Sequence, residues 1–160
     1  MIVITGAAGF IASYLAQKLN QKGFSDLILV DDFSDEKKNN NHQTISCSQK
    51  INRDEFFTWF EENNPAIDVI FHLGARTDTT EMNYEVHNQL NVQYSKSIWK
   101  LCTEKNIPLI YASSAATYGL GEKGYKDSHD IVKNLKPLNP YGQSKNNFDI
   151  WALEQTEHPP

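Results

Sequence analysis

Short apolar runs alternate with helical stripes along this chain. Ile2-Val3-Ile4-Thr5 is an apolar run closed by Gly6, which predicts a buried strand. From Phe10 to Lys22, Ile11, Leu15 and Leu19 recur four apart on one helical face, and Gly23 stops the pattern. Leu27-Ile28-Leu29-Val30 predicts a second strand. From Asp32 to Thr44 the chain is polar, and the Asn39-Asn40-Asn41 run supports neither period, so a mobile surface loop is expected. A weak strand is predicted near Ile45 to Ile51. Asp54 to Glu62, with Phe56, Phe57, Trp59 and Phe60, reads as a short helix that ends before Pro65. Asp68 to Leu73 is then nearly continuous in apolar residues, the pattern of a strand covered on both faces.

The second half repeats the alternation. Between Met82 and Lys105, Val86, Leu90, Tyr94, Ile98 and Leu101 fall at helical intervals, and Pro108-Leu109-Ile110-Tyr111 opens a strand. Gly119 to Lys136 is rich in Gly, Lys and Asp and predicts an irregular excursion. Asn139-Pro140 has the form of an N-cap followed by Pro at the first helical position, for a helix running to about Glu157. Strands joined by helical crossovers make an α/β fold with a parallel, right-handed, doubly wound sheet, whose ligands bind beyond the carboxyl ends of the strands. The pattern leads one to expect a further strand after the last helix, and the chain ends at Pro159-Pro160 instead.

Composition narrows the classes. With 160 residues, 39% hydrophobic and 11% aromatic, the chain reads as one globular domain over 1–160 that needs neither disulfide nor metal for its core. Twenty acids against fifteen bases, net −5 and without a basic stripe, argue against nucleic-acid binding. No apolar run approaches the roughly 20 residues of a membrane span. Cys47 and Cys102 lack any ligand spacing, so no metal site is expected and the expected setting is a reducing cytoplasm.

Three elements carry candidate chemistry. Gly6-Ala7-Ala8-Gly9-Phe10-Ile11-Ala12 follows the first strand and feeds a helix, so its backbone N–H groups can approach a pyrophosphate at the positive helix end. Ala8 holds the middle position of the usual glycine triplet. Asp31 closes the second strand nineteen residues after Ala12, where a carboxylate accepts from an adenosine ribose. Tyr141 and Lys145 lie one helical turn apart in Tyr-Gly-Gln-Ser-Lys, and an ammonium there favours phenolate for proton transfer with a sugar hydroxyl. Ser113-Ser114 follows the strand starting at Leu109, where a hydroxyl can orient the same oxygen. Their order along the chain is that of a single dinucleotide-plus-substrate cleft. His72, the Phe56 to Phe60 cluster, Trp99 and Trp151 read as packing residues.

On these motifs the chain resembles the amino-terminal half of the NAD-dependent epimerase/dehydratase family of extended short-chain dehydrogenases/reductases. The resemblance covers nearly all 160 residues and implies a Rossmann-like sheet of about five strands in the order 3-2-1-4-5. The runs Phe71 to Glu81, Tyr111 to Gly119 and Pro137 to Tyr141 are most similar to the branch that epimerises an ADP-heptose at C6, which supplies the lipopolysaccharide inner core. By that resemblance Gly6, Gly9, Phe10, Ile11, Asp31, Asp32, Lys38, Arg53, Leu73, Gly74, Ala75, Arg76, Thr77, Asn91 and Lys145 line the cofactor, while Ser114 and Tyr141 face the sugar. Ser114, Tyr141 and Lys145 are the catalytic set. Arg53 stands where the branch tends to carry lysine. The reaction implied is redox-neutral: hydride leaves the sugar, and the ketone is re-reduced from the other face.

Asp31 at the ribose favours NAD, whereas Lys38 and Arg53 could neutralise the 2′-phosphate of NADP, and the reading leans to NADP. Ala115 and Ala116 occupy positions where dehydratases of the family carry an Asp-Glu pair, and methyls transfer no protons. A nucleotide-sugar 4-epimerase remains the competing reading, with only Gly74 to Glu81 against it, and a non-catalytic nucleotide-binding domain is the third. A substrate-binding half, a second proton carrier beyond position 160 and homo-oligomerisation of the full-length enzyme are implied by the resemblance. The 160-residue chain alone is therefore expected not to turn over.

Overall fold

The computed structural model describes residues 1–160. They form two compact units, one of residues 1–74, 105–111 and Pro160, the other of residues 75–104 and 112–159.

The first unit contains the whole sheet. Strands β1 (Ile2–Thr5), β2 (Leu27–Asp31), β3 (Gln49–Asn52), β4 (Val69–His72) and β5 (Leu109–Tyr111) lie in the order β3-β2-β1-β4-β5, the order expected from the sequence. All four pairings are parallel, with Thr5 opposite both Val30 and His72. The order reverses beside β1, so the carboxyl end of β1 is the switch point at which such sheets bind ligands. Helix α1 (Phe10–Gln21) lays Ala12 and Ala16 against Ile4, Leu27 and Leu29, with Ile45 completing that core. Val3, Ile28, Val30 and Ile70 point to the other face and are equally buried. Burial on both faces is what the continuous apolar runs required.

Two predicted segments differ. The expected mobile loop after β2 is a 3-10 turn at Glu36–Lys38 followed by α2 (Asn39–His42), and His42 is buried. Its order comes from side chains: Asn41 donates to the Ala8 carbonyl at 2.9 Å, and Lys50 donates to the His42 carbonyl at 3.2 Å. The weak strand sits later than predicted, because β3 is an edge strand in which Ile51 alone is fully buried and apolar periodicity is nearly silent. Helix α3 (Phe56–Asn63) buries Phe56 and Phe60.

The second unit is helical. The single helix expected from Met82 to Lys105 is α4 (Tyr84–His87), a π-helical segment (Asn88–Gln93) and α5 (Tyr94–Lys105), the last residue of which belongs to the first unit. Its buried residues include His87, Asn91, Val92, Ser95, Ile98 and Cys102, a row displaced by one position from the predicted Val86, Leu90 and Tyr94, which are half-buried. A 3-10 helix (Ala115–Tyr118) and another (His129–Asn134) lead to α6 (Pro140–Leu153). Asn139 caps α6 as expected, accepting from Gly142 N–H at 2.8 Å.

Candidate nucleotide-binding and proton-transfer sites

In the first unit, the loop after β1 is built on a backbone approach that only glycine permits. Gly6 has φ +71°, and a Cβ there would lie 2.6 Å from Gly74 Cα. Thr5 Oγ1 accepts from Gly74 N–H at 3.1 Å and shares a 2.7 Å bond with His72 Nδ1, so the loops after β1 and β4 are held together. His72 is packed, as predicted. Gly9 N–H donates to Gly6 O at 2.8 Å and opens α1 with no side-chain cap and no acidic residue in the first turn. Phe10 and Ile11 are 81% and 70% exposed there. A positive helix end left open in this way suits a pyrophosphate.

Asp31 Oδ2 accepts from Ala8 N–H at 2.8 Å and Oδ1 from Asp32 N–H at 2.7 Å. A carboxylate has about four acceptor positions, so capacity for ribose hydroxyls remains. The basic residues singled out above lie beside the acids that follow it. Arg53 Nη2 is 3.5 Å from the Asp32 carboxylate, and Lys38 Nζ is 3.9 Å from that of Asp35. Bonds from Ser34 hold the Asp32 carboxyl below its ordinary range, and Arg53 and Lys38 add attraction. Asn41, which fixes Ala8, was not singled out from sequence, because a polar run carries no period from which a docked side chain could be read.

Leu73 and Gly74 close the first unit, and Ala75, Arg76 and Thr77 open the second. Asn91 Oδ1 accepts from Arg76 N–H at 2.7 Å, while its Nδ2 donates to Arg76 O at 3.0 Å and to Ser144 Oγ at 2.8 Å. Asn91 thus holds the backbone of the Arg76 loop, and Ser144 Oγ passes the link to Tyr141 O at 2.7 Å. The π-helical turn is what presents Asn91 this way, a distortion often found at functional sites. His87 was also missed: fully buried, it shares a 3.1 Å bond with Glu81 O, and its ring centroid lies 6.3 Å from that of Tyr141.

Ser114 caps the 3-10 helix, its Oγ accepting from Ala116 N–H at 3.2 Å. Gly142 lets that segment meet α6, since a Cβ there would come within 2.7 Å of Ala116 O. One turn along α6 from half-buried Tyr141, Lys145 is 3% exposed. Burial lowers its hold on a proton and Asp149 opposes this. A buried ammonium one turn from a phenol can favour phenolate and relay a proton.

The family described as NAD dependent epimerase/dehydratase matches residues 2–158. The chain belongs to that family. Among curated members, an ADP-L-glycero-D-manno-heptose-6-epimerase of Fusobacterium nucleatum is 42% identical over 99% of this chain and 49% of its own length. The same-named protein of Nitratidesulfovibrio vulgaris is 38% identical over 97% of this chain and 49% of its own. The chain therefore spans about half the length of these relatives. A solved Helicobacter pylori ADP-L-glycero-D-manno-heptose-6-epimerase superposes with TM-score 0.77 at 28% identity, over 95% of this chain and 50% of that one. A Bacillus cereus UDP-glucuronic acid 4-epimerase in complex with NAD gives 0.76 at 27%, over 94% and 50%. No helix is long and apolar enough to cross a membrane.

Proposed function

We propose that this chain is the nucleotide-binding part of a cytoplasmic, NADP-using epimerase that inverts a carbinol centre of an ADP-heptose in lipopolysaccharide precursor synthesis. The observation that carries the reading is Tyr141 placed one turn ahead of buried Lys145 in α6, in a chain whose relatives at 38–42% identity are named ADP-heptose 6-epimerases. The open start of α1 would take the pyrophosphate, Asp31 the adenosine ribose, and Lys38 with Arg53 a 2′-phosphate. The nicotinamide supplies reversible hydride transfer when bound. Tyr141 would take the proton of the sugar hydroxyl in one half of the reaction, with Lys145 stabilising the phenolate and Ser114 orienting the oxygen, and the second proton carrier implied by the resemblance would serve the other half. Ala115 and Ala116 support epimerisation over dehydration.

Two measurements test this. Calorimetric titration of the chain is expected to show NADP binding more tightly than NAD, and weaker NADP binding on Lys38→Ala; tighter NAD binding reverses the cofactor assignment. In a full-length enzyme carrying this chain, Tyr141→Phe should lower the rate of C6 epimerisation, followed by NMR, by about 10²–10⁴ with nucleotide affinity nearly unchanged. A wild-type rate would remove Tyr141 from the mechanism.

A further inference from the structure

Tyr141, Lys145 and Asp149 succeed one another at four-residue intervals along α6. Asp149 is 9% exposed and Lys145 3%, so an acid and a base are buried one turn apart on one helix face. Charges at that depth are found only when paired or hydrogen-bonded. The Ser113 hydroxyl donates to Asp149 Oδ2 from the segment that precedes the 3-10 helix. The two adjacent serines therefore have different tasks, since Ser114 turns its oxygen to Ala116 N–H. Nothing in the proton-transfer scheme above uses Ser113 or Asp149.

We propose that Asp149, held by the Ser113 hydroxyl, is the positioning residue for Lys145, its carboxylate keeping the buried ammonium charged and aimed along α6 toward Tyr141. The inference rests on the reading of Tyr141 and Lys145 as the proton-handling pair. Its logic is electrostatic. Desolvation drives a buried lysine toward the neutral amine, which would donate no positive charge to a phenolate. Asp149 is the charged group that acts on Lys145 against that drive. Ser113 in turn fixes the carboxylate by a charge-assisted bond, which holds the acid on the helix face it shares with Lys145.

The test is an NMR titration of lysine and carboxyl carbons in the 160-residue chain. Asp149→Asn should lower the Lys145 midpoint by about one pH unit or more, the effect of removing an opposite charge at this range, and Asp149→Glu should restore it. Ser113→Ala should raise the Asp149 midpoint, because a donor to the charged form is lost. Coupling is reciprocal, so Lys145→Met should raise the Asp149 midpoint by as much as Asp149→Asn lowers that of Lys145. That measurement decides the matter alone if Asp149→Asn does not fold. An unchanged Lys145 midpoint in folded Asp149→Asn, or an unchanged Asp149 midpoint in Lys145→Met, overturns the proposal. Nucleotide binding by the unmutated chain is followed separately by calorimetry. Its absence would sink the functional reading and leave these titrations to decide the role of Asp149.

Discussion

Asp31 illustrates how one side chain can serve two loops. Its carboxylate accepts Ala8 N–H and Asp32 N–H, so the residue read from sequence as a ribose acceptor also shapes the glycine loop that precedes it. Cys102 is the opposite case, a residue whose surroundings remove its chemistry. Fully buried in α5, its thiol is pushed up to about 12 by desolvation alone. Thiolate is the reactive species, so Cys102 is expected to ignore a disulfide reagent at pH 8 in the native chain and to react once urea unfolds it. Counting thiols released before and after unfolding checks this, and rapid labelling of Cys102 in the folded chain would show that α5 opens locally. The candidate site residues legible in the sequence were those belonging to a motif with fixed spacing: Gly6 and Gly9, Asp31, and the Tyr141–Lys145 pair. Asn41, His87 and Asp149 belong to none. A signal for Asp149 did exist, since it extends the Tyr141 and Lys145 stripe by one more turn with a charge where a packed face would carry an apolar residue.

Among the elements, β1, β2 and β4 could be read from composition because both faces of a central parallel strand are covered, leaving an uninterrupted apolar run. The helix from Tyr84 to Lys105 was legible as a helix and misleading as to its face. Val86, Leu90, Tyr94 and Ile98 step by four, and in a regular α-helix each such step drifts by about 40°. The wider π-helical turn at Asn88–Gln93 takes up that drift and presents Asn91 inward. What is buried there is a polar row of His87, Asn91 and Ser95, and hydrophobic periodicity cannot find polar residues whose burial depends on hydrogen bonds. Asn91 should consequently be costly to replace. Asn91→Leu keeps the volume but strips Arg76, itself exposed, of the side-chain partners for both its N–H and its carbonyl, hydrogen bonds worth about 0.5–1.5 kcal/mol each. Urea unfolding of the variant is expected to show a loss of at least the lower figure. Stability equal to that of the unmutated chain would mean that water replaces the amide and that Asn91 does not fix the Arg76 loop.

At the scale of the whole molecule, one buried imidazole, in the segment that the sequence suggested would be mobile, makes stability depend on pH near neutrality. His42 is 6% exposed, lies edge-on to Phe33 with ring centroids 4.9 Å apart, and has its Nδ1 3.1 Å from Lys50 Nζ. Its Nε2 is buried without a hydrogen-bond partner. Burial and then the Lys50 charge lower its proton affinity, and Asp31 offsets this only in part. The folded chain thus holds His42 neutral below the ordinary value of 6.5, where the unfolded chain takes up the proton. Where the unfolded state binds more protons, stability rises with pH. The contribution is therefore full above about pH 6.5 and is lost as pH falls from there toward the lower value of the folded state. Lowering the pH also relieves the self-repulsion of a chain with net charge −5, so the two effects oppose each other over this range. Comparing variants separates them. His42→Phe leaves the net charge at pH 7 unchanged and keeps an aromatic ring against Phe33, yet removes the titrating group. Between pH 7 and 5.5, unfolding free energy from urea titrations should fall more steeply in the unmutated chain than in His42→Phe, by up to about 1.4 kcal/mol per pH unit, the limit for one proton. Parallel slopes would mean that His42 is protonated as readily in the folded chain as in the unfolded one, and that the contacts among α2, Lys50 and the first βα loop open in solution.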